Sequence, residues 1–254
     1  MAKIIVIANQ KGGVGKTTTA NALACGLTGR KFKTLAVDCD PQGNLSYAMQ
    51  ADDQQEGLYE VMKGQSAPAE AVQRTEQGDI ISGSLLLAGA DLEFTDTGRE
   101  YLLREILEPL KKIYDYIIID SPPTLGILTI NALAAGDDVI IPMGADIFSL
   151  QGLSQLYNAV SKVRKFCNPG LKIAGLLITR YNARTILSRD LREVIEEKAV
   201  QIGAPVFHTV IRESVSIREA QTHQESIFKI SPDSNPAQDY QDFIREYLEG
   251  TAHG

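Results

Sequence analysis

The sequence predicts a doubly wound, mostly parallel α/β sheet flanked by helices, in a single domain over 1–254. Three observations predict it. Apolar, β-branched runs alternate with helix-patterned segments along nearly the whole chain. Those runs are apolar at successive positions rather than at every second one, as in strands buried on both faces. Glycine- or acid-bearing turns follow three of them, after Ala8, Val37 and Ile119, and a parallel sheet gathers its ligand groups at the carboxyl ends of its strands.

The elements follow in order. Lys3–Ala8 reads as a strand and Thr19–Leu27 as a helix, joined by a glycine-rich turn. Lys33–Asp38 is a second strand, emptying into the turn formers Asp40-Pro41-Gln42-Gly43-Asn44. Residues 45–78 are weakly patterned, with short helices expected around Leu58–Met62 and Pro68–Val72. Asp79–Ser82 and Leu85–Ala88 read as short strands. Leu102, Leu103, Ile106, Leu107 and Leu110 recur at helical spacing, predicting a helix over about 97–112. Tyr114–Asp120 is the clearest strand of the chain. A helix over Ile127–Ala135 follows, then strand Asp138–Pro142, helix Leu150–Phe166, strand Ile173–Thr179 and helix Leu187–Gln201. Pro205–Phe207 reads as extended, 212–228 as mixed, and Pro236–Leu248 as a closing helix.

Composition narrows the function classes. The 254 residues are 44% hydrophobic and carry a formal net charge of −7, so any contact with nucleic acid must come from a local patch rather than bulk charge. Cys25, Cys39 and Cys167 form no C-x-x-C pair, which disfavours disulfide and zinc frameworks. The chain enters a strand within three residues, leaving no room for a signal peptide, and no apolar run approaches the ~20 residues of a membrane span. A cytoplasmic protein without stable membrane binding is expected.

The stretch Ala8-Asn9-Gln10-Lys11-Gly12-Gly13-Val14-Gly15-Lys16-Thr17-Thr18-Thr19 carries the chemistry. A strand, a glycine-rich turn ending in Gly-Lys-Thr and a helix form the context a phosphate-binding loop needs. Glycines let successive N–H groups curl inward toward an anion, and the helix N-terminus adds partial positive charge. Gly12, Gly13, Val14, Gly15, Lys16, Thr17 and Thr18 are therefore the expected nucleotide cradle. Lys16 would reach the outer phosphates and Thr17 would ligate Mg²⁺. The generic loop has glycine where Gln10 stands, and here a second lysine, Lys11, follows it. Asp120, at the tip of the apolar strand Ile117–Ile119, is placed to hold Mg²⁺; alone it would equally read as a turn cap. Hydrolysis also needs a group that orients water in line with the outer phosphate. Asp38 is open between the Mg²⁺ water shell and a turn cap.

With Lys11 and Asp38-Cys39-Asp40-Pro41-Gln42-Gly43 in these places, the chain resembles the ParA/MinD family of deviant phosphate-loop ATPases, and within it the ParA/Soj partition branch. The resemblance implies ATP and Mg²⁺ as ligands and catalytic roles for Lys11, Lys16 and Asp40, with Asp40 as the group that orients the water. Lys11 would cross the interface of an ATP-bound homodimer to the partner's nucleotide. Thr179 and Arg180 would lie near the base, unless they belong to an ordinary polar loop. The Ser121-Pro122-Pro123 segment would be a nucleotide-sensing switch. The partition branch further implies non-specific binding to double-stranded DNA through Arg184, Arg189, Arg212 and Arg218, and release stimulated by a cargo-bound ParB-like partner, placing the protein on the nucleoid. A MinD-like membrane ATPase is the alternative, but the acidic end Asp239–Glu249 differs from that branch's basic amphipathic helix. A ParA-like ATPase that positions a protein cargo is a further alternative.

Overall fold

The computed structural model of the chain describes residues 1–252, apart from the side chains at 147, 148, 150, 151, 186, 187, 251 and 252. Strands β1 (Lys3–Ile7), β2 (Thr34–Asp38), β3 (Val72–Thr75), β4 (Gly78–Ile81), β5 (Tyr116–Asp120), β6 (Asp138–Gly144), β7 (Lys172–Tyr181) and β8 (Val206–Arg212) form one sheet in the order β3-β4-β2-β5-β1-β6-β7-β8. All pairings are parallel except the β3–β4 hairpin. The helices are α1 (Lys16–Gly29), α2 (Asn44–Ala48), α3 (Leu58–Met62), α4 (Ala90–Glu93), α5 (Leu102–Leu107), α6 (Ile127–Ala135), α7 (Ile147–Phe166), α8 (Ile186–Ile202), α9 (Val215–Thr222), α10 (Ile227–Ile230) and α11 (Asn235–Ala252).

Period-two alternation sends the central strands' side chains into two cores. Ile4 and Val6 of β1 join Val37, Ile117 and Ile119 against α5, α6, α7 and α8. Ile5 and Ile7 join Ala36, Ile118 and Ile140 against α1, α2 and α11. Both faces are dry, which is why these strands read as continuous apolar runs. The register sets up the site: Ile7 of β1 and Asp38 of β2 both lie opposite Asp120 of β5. The loops leaving these three strands therefore emerge side by side. Among the described residues, no helix is long and apolar enough to cross a membrane.

Three sequence expectations need correction at the sheet's edge. Leu85–Gly89 is a 3₁₀ turn, not a strand. Only Leu87 of its leucines is buried, and Gly83, just before it, sits where a side chain would collide with the Asp38 and Asp40 carbonyls. The short helix expected to end at Val72 gives way there to β3, which pairs antiparallel with β4 through a two-residue turn. The helix expected over 97–112 is broken into 3₁₀ pieces around α5. Pro109 lacks the N–H that would continue α5.

Candidate functional site

The loop between β1 and α1 is built to leave donors open. Gly13 and Gly15 take left-handed backbone angles, with φ of 73° and 84°, a conformation that favours glycine. No atom lies within 4 Å of where a side chain at Gly12 or Gly13 would begin, so the loop's inner face opens onto free space. No side chain caps the start of α1, and its first turn holds no acid. Its leading N–H groups are thus available to an anion.

Neighbouring strands brace the loop from behind. Asn9 donates through Nδ2 to the Pro142 carbonyl at 2.6 Å and accepts the Lys11 N–H at 2.9 Å. The Thr179 hydroxyl donates to the Val14 carbonyl at 2.8 Å. Val14 itself is buried, so its side chain anchors the loop and its neighbours line the opening. Arg180, at φ 53°, reaches the Gly13 carbonyl through Nη1 at 3.4 Å and pairs with Glu213 at 3.3 Å.

The charged groups divide by environment. Lys16 is buried and donates to the Lys11 carbonyl at 3.1 Å. Burial lowers its pKa, while Asp120 and Asp40 oppose that shift. Asp120 is fully buried, and neither carboxylate oxygen has a hydrogen-bond partner of ordinary geometry. Burial pushes its pKa well up, and the Asp38 charge adds to this; Thr17 and Lys16 pull it down. An orphaned buried carboxylate beside a hydroxyl and an ammonium is a costly arrangement, and it fits a cation between them.

Asp38 is different. Its Oδ2 accepts both the Ser46 N–H and the Ser46 hydroxyl at 2.8 Å, and its Oδ1 accepts the Asp40 N–H at 3.1 Å. These bonds cap the β2–α2 turn, one of the two roles the sequence left open for Asp38. Burial still raises its carboxyl to about 6, against the opposing pull of the Ser46 bonds. Asp40 accepts the Gln42 N–H at 3.0 Å and faces the cavity.

Lys11 pairs with Asp146, whose side chain also accepts the Ser149 N–H at 3.1 Å as the N-cap of α7. Burial would raise the Asp146 carboxyl, but the bonds from Lys11 and Ser149 outweigh it and hold the pKa below the ordinary value. Sequence reasoning missed Asp146. Its place before an apolar helix, three residues ahead of a serine, is a legible cap signal; that it faces Lys11 is a tertiary fact. It also missed Gln221, whose Nε2 donates to the Thr18 hydroxyl at 3.1 Å.

A cavity of about 730 Å³ runs from Gly12 and Lys16 past Asp40 and Thr179 to Arg212 and Arg218. Its size suits a nucleotide. Among the described residues, no three His, Cys, Asp or Glu side chains converge to hold a metal. A metal here would rest on Asp120, Thr17 and ligand phosphates, which is the way Mg²⁺ is held.

The four arginines expected at DNA do not share one environment. Arg184, Arg189 and Arg218 are exposed. Arg212, half-buried, is paired within the fold. Its Nε lies 2.9 and 3.0 Å from the two Asp239 carboxylate oxygens and its Nη2 lies 2.6 Å from one of them, clamping β8 to α11. The pair lies at the surface, with Arg212 partly exposed and Asp239 buried.

Three comparisons bear on this geometry. Residues 2–173 match the family model described as "AAA domain". The sporulation initiation inhibitor protein Soj of Bacillus subtilis is 42% identical over 97% of this chain and 98% of its own. Among solved structures, a Mycobacterium smegmatis protein described as cobyrinic acid a,c-diamide synthase, with a bound ATP analogue and magnesium, superposes with a TM-score of 0.87. It is 33% identical and covers 99% of this chain and 96% of that one. Cyanothece McdA, in an ATP complex of a variant, gives a TM-score of 0.87 at 27% identity over 98% of this chain and 96% of that one.

Proposed function

The chain belongs to the Soj/ParA family of partitioning ATPases, and from that premise we propose that it works as an ATP-gated dimer switch on DNA. Lys16, Thr17 and Asp40 line one open cavity, with the buried Asp120 behind Lys16 and Lys11 held beside the loop by Asp146, and this arrangement supports the reading. ATP would enter with its phosphates on the Gly12–Thr18 backbone, and Lys16 would lie along the outer phosphates. Thr17 and Asp120 would hold Mg²⁺, which would supply neutralisation of phosphate charge when bound. Asp40 orients the attacking water. Lys11 leaves Asp146 to reach the partner's nucleotide, as a cation supplied in trans stabilises charge developing in phosphoryl transfer.

Two such protomers bring the exposed Arg184, Arg189 and Arg218 of each onto a common surface. That surface binds double-stranded DNA through phosphates, without reading sequence. A cargo-bound partner protein stimulates hydrolysis and returns the protein to its monomeric, DNA-free state. The working location is the nucleoid in the cytoplasm. Identity to Soj over nearly the full length favours partition over the synthase activity named for one structural neighbour.

The test pairs nucleotide binding with sedimentation. Wild type should form a dimer and bind DNA only with Mg-ATP. Lys11→Ala should bind ATP within about threefold of wild type, since Lys11 pairs with Asp146 and does not line its own cavity, but lose the dimer and the DNA binding. Loss of ATP binding with an unchanged dimer would sink the trans role. Equal DNA affinity with and without ATP would sink the switch.

A further inference from the structure

The β3–β4 turn contributes a buried glutamine that touches three elements around the cavity. Gln77 is 7% exposed. Its Oε1 accepts from Asn21 Nδ2 at 3.3 Å and from the Cys25 thiol at 3.6 Å, both on α1. Its Nε2 donates to the Ala48 carbonyl at 2.7 Å, at the end of α2, and to the Gln224 carbonyl at 3.0 Å, just past α9. One amide thus makes four bonds, its full capacity. Gln50 also donates to the Gln224 carbonyl, at 2.8 Å. Gln50 and Gln224 both hold left-handed backbone angles, with φ of 58° and 52°, which is uncommon for residues other than glycine. The two helix ends are therefore locked face to face.

Each helix at this junction starts from a different part of the site. The α1 helix begins in the phosphate loop at Lys16. The α2 helix follows the Asp40 turn, and its Ser46 carries two bonds to Asp38. The α9 helix carries Arg218, and Gln221 ties it to Thr18. A fully satisfied buried amide is stiff and costly to break. A displacement of the Asp40 turn has a short, bonded route through Ser46, α2 and Gln77 to the end of α9.

We propose that Gln77 is a positioning residue that couples the Asp40 turn to α9, so that the presence of the γ-phosphate is delivered to the arginine-bearing surface. The importance of that surface rests on the DNA reading above, but the coupling is separable from it. The Thr18–Gln221 contact responds to any bound nucleotide, because a phosphate loop holds the inner phosphates of ADP and ATP alike. The Gln77 route starts instead at the Asp40 turn, the part of the site that faces the γ-phosphate in the reading above.

The experiment is hydrogen exchange of backbone amides 215–224 in the full chain, with ADP or a non-hydrolysable ATP analogue, each with Mg²⁺, at matched dimer fraction. In wild type the analogue should slow exchange at least about fivefold more than ADP, the lower end of ordinary coupling between sites. Gln77→Leu keeps the bulk and removes the amide; its analogue-to-ADP difference should fall below about twofold, with analogue affinity near the wild-type value. Gln77→Glu can accept but not donate and should behave like Gln77→Leu. Gln50→Ala changes an exposed side chain that holds only the Gln224 carbonyl, so it tests the junction even where Gln77→Leu does not fold; it should give a partial loss. An unchanged difference in the Gln77 and Gln50 variants, or no difference in wild type, would overturn the coupling. Intact coupling in a protein that binds no DNA would overturn the DNA reading instead.

Discussion

Lys11 is ion-paired with Asp146, and the same carboxylate caps α7 through Ser149. The side chain that would complete a partner's site is thus held by its own subunit. Asparagine caps a helix as well as aspartate does, so Asp146→Asn removes the charge and spares the helix. Both side chains are about one-third exposed, and such a pair contributes no more than about 1 kcal/mol. Asp146→Asn should therefore lower the ATP concentration for half-maximal dimer by about two- to fivefold, read by sedimentation, with the melting temperature little changed. A rise in that concentration would mean that Asp146 steers Lys11 rather than restraining it.

Asp40 lines the cavity while its Oδ1 is engaged only by the Gln42 N–H of its own turn. Its replacement leaves the phosphate cradle intact. Asp40→Ala should keep ATP affinity within about threefold and lower the rate of phosphate release by about 10²- to 10³-fold, as for loss of a group that acts on the proton of the attacking water. The ATP dimer should persist longer, visible as slower dissociation after dilution.

Much of this was legible in the chain. The strands around the site are buried on both faces, so local apolar character named them correctly, and Asp38 and Asp120 fall opposite each other because both end their strands. The phosphate loop was legible because glycine spacing is dictated by backbone geometry within a few residues. What was not legible depended on distant partners. Leu85–Ala88 has strand composition, yet it forms a 3₁₀ turn outside the sheet with only Leu87 of its leucines buried. The pairing of Arg212 with Asp239, far along the chain, is a tertiary contact that local sequence does not show. Asp146 and Gln77 act only through what the fold brings to them.

Asp120 imposes a stability cost on the empty site that nucleotide and metal should reverse. Its folded pKa lies well above the ordinary carboxylate value because burial opposes ionisation, and that of Asp38 is raised to about 6 for the same reason. A carboxyl whose folded pKa is raised binds a proton more readily in the folded state. Its favourable contribution is therefore complete below the unfolded pKa near 4 and is lost as pH rises through the folded value. Without metal or nucleotide, wild type should lose stability as pH rises above about 4, through the Asp38 value of about 6 and beyond as Asp120 ionises, and Asp120→Asn should lose less. At pH 8 the variant should be the more stable by about 1–2 kcal/mol, the scale of an unpaired buried polar group. With Mg-ATP the order should invert, since only wild type can bind the cation. Thermal unfolding at about pH 5 and about pH 8, with chelator and with Mg-ATP, checks each step.

Arg212 and Arg218 lie six residues apart on the same segment and should fail in opposite ways. Arg212 spends its guanidinium on Asp239 and donates its backbone N–H to the same carboxylate at 2.9 Å. Arg212→Ala leaves a buried acid half-paired, so it should destabilise the fold by about 1–3 kcal/mol and weaken DNA binding only as far as it unfolds the protein. Arg218 is exposed on α9. Arg218→Ala should leave the melting temperature within the ~0.5 kcal/mol scatter of surface changes and reduce DNA affinity in Mg-ATP. It should also make the dependence of log affinity on log salt shallower by about one unit for each phosphate no longer neutralised, or about two for the dimer. The salt slope is the deciding measurement. A destabilised but DNA-competent protein binds more weakly with its slope intact, whereas removing a cation that sits on a phosphate changes the slope itself. An unchanged slope for Arg218→Ala would remove α9 from the DNA surface and leave Arg184 and Arg189 of the α8 region to account for it.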